Sequence, residues 1–181
     1  TEEQFQATYS VRSLAKEECA HEFDCGDEDL KTSLPSEAGA YRQAMLAVTY
    51  IVEDKQQVAA YFSLANDRIS LTDFNSNSEF NRFRKHRFVH EKRLKSYLAV
   101  KLCRFGVNVS CRGTGMGSFL LYFIKTLFAE SNKTGCRFIT VDAYKNAVPF
   151  YEKNGFLPLT RKDENAHTKL MYYDLASNYQ E

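Results

Sequence analysis

The spacing of apolar residues along the chain predicts an order of elements before any chemistry is considered. "ATYSVRSL" (residues 7–14) alternates with the period of two expected of a strand, and "FDCGDEDLKTSL" reads as a turn followed by a short helix with acids in its first turn. "AMLAVTYIVED" and "QVAAYFSLA" are rich in β-formers and are separated by a short polar stretch, which predicts a hairpin. "NDRISLTDFNSNSEFNRFRKHR" is polar and poorly periodic, so it is expected to be irregular with a helical turn or more. "SYLAVKLCRFGVNV" predicts the next strand. The strongest helix follows: Met116, Phe119, Leu120, Phe123, Ile124, Leu127 and Phe128 form one apolar stripe at helical spacing. "CRFITVDA" predicts a short buried strand, "AVPFYEKN" a second helix stopped by Gly155, and "FLPL" and "TKLMYYDL" closing strands. Antiparallel strands thus come first, and strand–helix–strand–helix–strand units come last. No repeat or linker divides the 181 residues, which are expected to form a single domain.

Between the strand ending near Val109 and the strong helix stands "CRGTGMGSF", with glycines at 113, 115 and 117. A helix start exposes unpaired N–H groups and partial positive charge, and glycines let an anion come close to the backbone. Arg112 adds a permanent cation. A Walker loop would need a Gly-Lys-Ser/Thr ending, which is absent. A dinucleotide fingerprint, Gly-x-Gly-x-x-Gly, fails at Ser118. Asp142 resembles the ribose-binding acid of such folds, but only 39 residues follow it, too few for the βα units still required.

Composition narrows the class further. Hydrophobic residues make up 44% and charged residues 26%, which suits a globular core. No apolar run is long enough to cross a membrane, and "TEEQFQAT" has the features of no secretory leader. The five cysteines (19, 25, 103, 111 and 136) have no metal-site or disulfide-framework spacing, so reduced thiols and a cytoplasmic location are expected. His21, His86, His90 and His167 also lack metal-site spacing, and no metal is expected. The net charge of +1 hides an uneven distribution. Residues 1–40 hold ten acids and three bases, whereas residues 82–104 hold nine Lys/Arg and one acid. Such a basic block suits an anionic ligand.

Arg112-x-x-Gly115-x-Gly117, followed about thirty residues later by "VDAYKNAVPFYEKNGF", resembles the signature pair of the GNAT superfamily of N-acetyltransferases. The resemblance extends over most of the chain. It implies an α/β fold with a mixed, mostly antiparallel sheet, helices on both faces and a central splayed parallel strand pair. It also implies acetyl-CoA as cosubstrate. Its pyrophosphate would lie on the backbone of Gly113, Thr114, Gly115, Met116, Gly117 and Ser118 with Arg112 at the entrance, and its pantetheine arm would lie along Phe105, Gly106 and Val107. By motif position Tyr151 would be the acid that protonates the leaving thiolate, while Phe150 is expected to point into the core. The family often carries an asparagine near position 144, where this chain has Tyr144, so no role falls to Asn146.

The implied reaction is direct acetyl transfer to an amine of a small molecule or protein. Two alternatives accompany it. "FDCGDEDLKTSL" and "VTYIVEDKQQVAAYFSL" resemble the toxin-like members that acetylate aminoacyl-tRNA, with block 82–104 for the tRNA phosphates and an antitoxin as partner. "LPSEAGA", with Pro35, departs from the longer basic helix expected of that subgroup. The other alternative is a non-catalytic acyl-CoA-binding module. A homodimer is compatible with all three. His86, His90, Glu91 and Glu79 are the candidates for a general base, beside water-mediated deprotonation. Cys103 and Cys111 are read as small buried thiols rather than nucleophiles.

Overall fold

The computed structural model describes residues 5, 7–15, 18, 23–85, 87–88, 94–132, 135–162, 164 and 166–179, without the side chains of 32–36 and 178–179. The strands are β1 (Ser10–Ser13), β2 (Val48–Glu53), β3 (Val58–Ser70), β4 (Ser96–Val107), β5 (Phe138–Tyr144), β6 (Leu157–Pro158) and β7 (Thr168–Asp174). The helices are α1 (Glu28–Gln43), α2 (Asn77–Arg84), α3 (Met116–Glu130) and α4 (Val148–Lys153). The strand order is β1-β2-β3-β4-β5-β7-β6, antiparallel except for the parallel pair β4–β5. This is the mixed, mostly antiparallel α/β architecture expected from the sequence. Two compact units share these elements: Thr1–Ala65 with Leu102–Leu120, and Asn66–Lys101 with Leu121–Glu181.

In the first unit β2 and β3 form the expected hairpin, with Thr49 opposite Ser63 and their hydroxyls 2.8 Å apart. Asp27 caps α1 by accepting the Leu30 N–H, and Glu28 and Asp29 favour its positive end. The helix is longer than the sequence suggested: it runs sixteen residues, through Pro35. A proline inside a helix removes one backbone donor, and the remaining turns continue to Gln43. α1 contributes Ala38 to a core with Leu14, Phe23, Cys25, Ile51, Val58 and Tyr61. The Tyr61 hydroxyl, which could not be buried unpaired, donates to the Leu30 carbonyl at 2.9 Å.

In the second unit β3 continues through "NDRIS", the stretch expected to be irregular. Asn66 and Arg68 face solvent while Ile69 is buried, so one wet face disguised the strand as a loop. Ser76 accepts the Glu79 N–H and starts α2, which lays Phe80 and Phe83 on an aromatic cluster with Tyr97, Phe138 and Tyr172. Tyr173, on the opposite face of β7, meets Lys125 of α3 and Phe156, so helices cover both faces of this part of the sheet.

The apolar stripe of α3 is also placed differently. Met116, Leu120, Leu121 and Ile124 are buried, whereas Phe119, Phe123, Leu127 and Phe128 are half-buried. Only Tyr122 and Glu130 of this helix are exposed, because the helix is apolar nearly all round and is wrapped accordingly.

Gly106 sits where any side chain would collide. A Cβ there would lie 3.0 Å from the Tyr61 ring and 3.1 Å from the Phe23 ring. Gly106→Val is expected to cost about 1–3 kcal/mol through overpacking. Thermal unfolding checks this, and an unchanged Tm would show that the rings yield freely.

Candidate functional site

Each candidate site residue is held by its own unit. In the first, the loop after β4 is fixed from beneath by Asn108. Its backbone N–H donates to the Ala59 carbonyl at 2.8 Å, and its buried side-chain amide donates to the Val58 carbonyl at 3.2 Å. Its side-chain oxygen accepts from the Ser110 N–H and hydroxyl at 3.1 and 3.0 Å. A 3₁₀ turn, Val109–Cys111, then leads into the glycines, and the Thr114 hydroxyl donates to the Cys111 carbonyl at 2.6 Å. Gly113 and Gly115 have φ of 76° and 88°, with Thr114 between them not left-handed. Such alternation turns successive N–H groups toward one side, forming a nest for an anion. The first intrahelical bond runs from the Phe119 N–H to the Gly115 carbonyl at 3.0 Å. By helix geometry the N–H groups of Gly115, Met116, Gly117 and Ser118 therefore have no acceptor within the helix. A Cβ on Gly113 or Gly115 would meet nothing within 4 Å, so the approach to these donors is open.

Arg112 takes a different position from the one its spacing suggested. Its guanidinium donates to the Cys25 carbonyl, and Gly26 lies so near that a Cβ there would be 3.4 Å from Nη2. The Val109 N–H donates to the Asp24 carbonyl at 2.8 Å. Residues 24–26 thus strap the entrance of the loop, and Arg112 anchors that strap. Neither the strap nor the role of Asn108 was foreseen. The only sequence signal was Asn108 two residues before Ser110, the spacing of an Asx turn. Phe105 and Val107 are half-buried on β4, and Gly106 is buried against the rings.

In the second unit Tyr151 lies on α4, where a complete Schellman ending fixes it. The Phe156 N–H donates to the Tyr151 carbonyl at 3.0 Å, and the Gly155 N–H donates to the Glu152 carbonyl at 2.9 Å. Gly155 takes φ 79°, as the motif requires. The rings of Tyr151 and Phe156 meet edge-on at 5.5 Å. Lys125 of α3 donates to the Asn154 carbonyl in the same turn, with its ammonium 4.1 Å from the Tyr173 ring centre. Burial lowers the Lys125 pKa to about 8.

Tyr151, rather than Phe150, is the buried member of the pair, whereas Phe150 is half-buried. The expected orientation is therefore reversed, because the helix ending turns Tyr151 toward Phe156. Burial raises the Tyr151 phenol above its ordinary pKa, and its hydroxyl has no hydrogen-bond partner among the described residues. Such a phenol keeps its proton across the physiological range, and can donate it but not abstract one. Glu79 is committed elsewhere: its carboxylate accepts from the Asn75 N–H and the Thr160 hydroxyl, which hold its pKa down. His86, His90 and Glu91 lie outside the described residues.

Residues 87–176, about half of the chain, match the model of the acetyltransferase (GNAT) domain. The chain belongs to the GNAT acetyltransferase family, the class of acetyl-CoA-dependent N-acetyltransferases. No curated protein sequence matches it. Among solved structures it is similar to AtaT complexed with acetyl-methionyl-tRNAfMet, with 22% identity over 94% of this chain and 97% of that one, at a TM-score of 0.74. It is similar also to a tyrosine-to-phenylalanine mutant of KacT, with 21% identity over 96% and 98%, at a TM-score of 0.74. AtaTR bound with acetyl-CoA matches at 21% identity over 94% and 96%, with a TM-score of 0.72. These likenesses show a shared fold.

Replacing Gly115 by glutamate would force a side chain into left-handed backbone and place a charge over the anion nest. At about a hundredfold excess over Kd, a bound ligand raises stability by ~2.7 kcal/mol. Gly115→Glu is expected to abolish the thermal stabilisation that CoA gives the native chain. Retention of that stabilisation would remove the loop as the cofactor site.

Proposed function

We propose that this chain acetylates the α-amino group of an aminoacyl-tRNA, using acetyl-CoA. The observation that carries the reading is the match, over nearly the full length of both chains, to AtaT complexed with acetyl-methionyl-tRNAfMet. The small-molecule or protein amine favoured by the modest net charge becomes the competing outcome of the test. In this reading residues 1–181 act as one catalytic domain. An antitoxin is the partner class, since AtaT is bound to the C-terminus of the antitoxin AtaR in a similar structure.

The chemistry follows from the residues. The nest of Gly113, Thr114, Gly115, Met116, Gly117 and Ser118 receives the pyrophosphate on open N–H groups. Arg112 keeps the strap in place and adds positive charge beside it. The backbone of Phe105, Gly106 and Val107 pairs with the pantetheine arm. The amine nitrogen attacks the thioester carbonyl, the C–S bond breaks, and the thiolate takes the Tyr151 proton while the amine loses one to solvent. An α-amino group has a pKa of about 7.7–8.0, against ~10.4 for lysine. A useful fraction is neutral near pH 7, so this acceptor makes little demand on a protein base.

Mass spectrometry after incubation with acetyl-CoA and charged tRNA is expected to show an acetylated aminoacyl group. Transfer only to free amines or protein lysines would replace the tRNA reading. Tyr151→Phe is expected to lower kcat about 100-fold or more with acetyl-CoA binding unchanged. Because burial raises the phenol pKa, the native rate should show no loss from Tyr151 ionisation up to about pH 10. A rate unaffected by the substitution would leave Tyr151 a packing residue.

A further inference from the structure

We infer that a cleft of the second unit, between the start of α2 and the segment β6–β7, holds the single-stranded 3′ end of the tRNA by its phosphates, with Arg82 and Arg161 as the contacts. The inference rests on the aminoacyl-tRNA reading above. The cleft measures about 840 Å³, within the size range of small-ligand sites, and carries the cations Arg82, Arg161 and Lys169. Two carboxylates also line it, and both are engaged. Glu79 spends one oxygen on the Asn75 N–H at 2.9 Å and the other on the Thr160 hydroxyl at 3.0 Å. Glu164 stands 3.8 Å from Arg161, whose side chain is 89% exposed, so that pair is weak and open to exchange for a phosphate.

Arg82 stands apart from its neighbours in the basic block. Arg84 bonds Asn81 and the Leu94 carbonyl and lies over the Phe80 ring. Arg87 bonds the Phe83 carbonyl and the Tyr172 hydroxyl and pairs with Asp174. Both hold the fold together. Arg82 is exposed at the cleft and makes no hydrogen bond or ion pair among the described residues. Pro158 and the 54% exposed Leu157 give the cleft an apolar surface that can carry a base face without reading its identity. Cations along a groove with apolar support suit single-stranded nucleic acid.

The test uses the full chain and a labelled acceptor-stem minihelix RNA ending in CCA, titrated at several salt concentrations. The double variant Arg82→Ala, Arg161→Ala is expected to weaken binding about tenfold and to reduce the slope of log affinity against log salt by roughly 1.4, for two single-strand phosphate contacts. Thermal stabilisation by CoA should be unchanged, which shows that the variant is folded. Unchanged RNA affinity and salt slope would overturn the cleft assignment. If the native chain still acetylates charged tRNA in that case, the aminoacyl-tRNA reading survives. If the native chain neither binds the minihelix nor acetylates charged tRNA but acetylates another amine, both fall together.

Discussion

A loop that binds an anion through its backbone N–H groups must leave those groups unpaired, so everything else about the loop has to hold it still. Asn108 carries much of that constraint. It ties the end of β4 to the start of β3 through its N–H and its side-chain amide, and it sets the 3₁₀ turn through its side-chain oxygen. Thr114 and the strap at residues 24–26 brace the loop from its own side. None of these bonds uses the donors at the start of α3. Rigidity and open donors therefore coexist, which is the preorganisation an anion site needs.

Tyr151 meets the same requirement by a different route. Its hydroxyl has to stay available, so its position is fixed through its carbonyl and its ring. The Schellman ending of α4 holds the carbonyl, Phe156 holds the ring edge, and Lys125 clamps the turn that follows. The glycine of "FYEKNGF" is there for its left-handed φ, and the aromatic residues on either side are the hydrophobic contact that accompanies the motif. A sequence motif associated with catalysis is thus also a helix ending, and the two roles share residues because one serves the other.

The basic block divides by function once its geometry is known. Arg84 and Arg87 stabilise the segment after α2 through carbonyl, carboxylate and ring contacts, and Lys101 pairs with Asp142 at 2.5 Å. Counting charges along the sequence overstated how many face a ligand. The near-neutral total is no argument against an anionic substrate either, because acids concentrated in residues 1–40 offset the block numerically without sharing its location.

Strands, helices and the glycine loop were legible because each depends on local chemistry: period-two or helical spacing, Asp27 and Ser76 as caps, Gly155 as a stop. Where one face of an element is wet, as in "NDRIS", the local signal disappeared, and only pairing within the sheet reveals the strand. The length of α1 beyond Pro35 was likewise hidden, since the cost of one lost hydrogen bond is outweighed by turns on either side. By itself the sequence determined the order of elements, the anion loop and the family. Tertiary structure alone decided that Arg112 anchors a strap, that Tyr151 and not Phe150 is buried, and that Arg82 rather than Arg84 or Arg87 stands at a cleft. Those outcomes depend on partners distant in sequence, such as Cys25, Phe156 and Tyr172, and spacing along a chain carries no information about which distant group a side chain will meet.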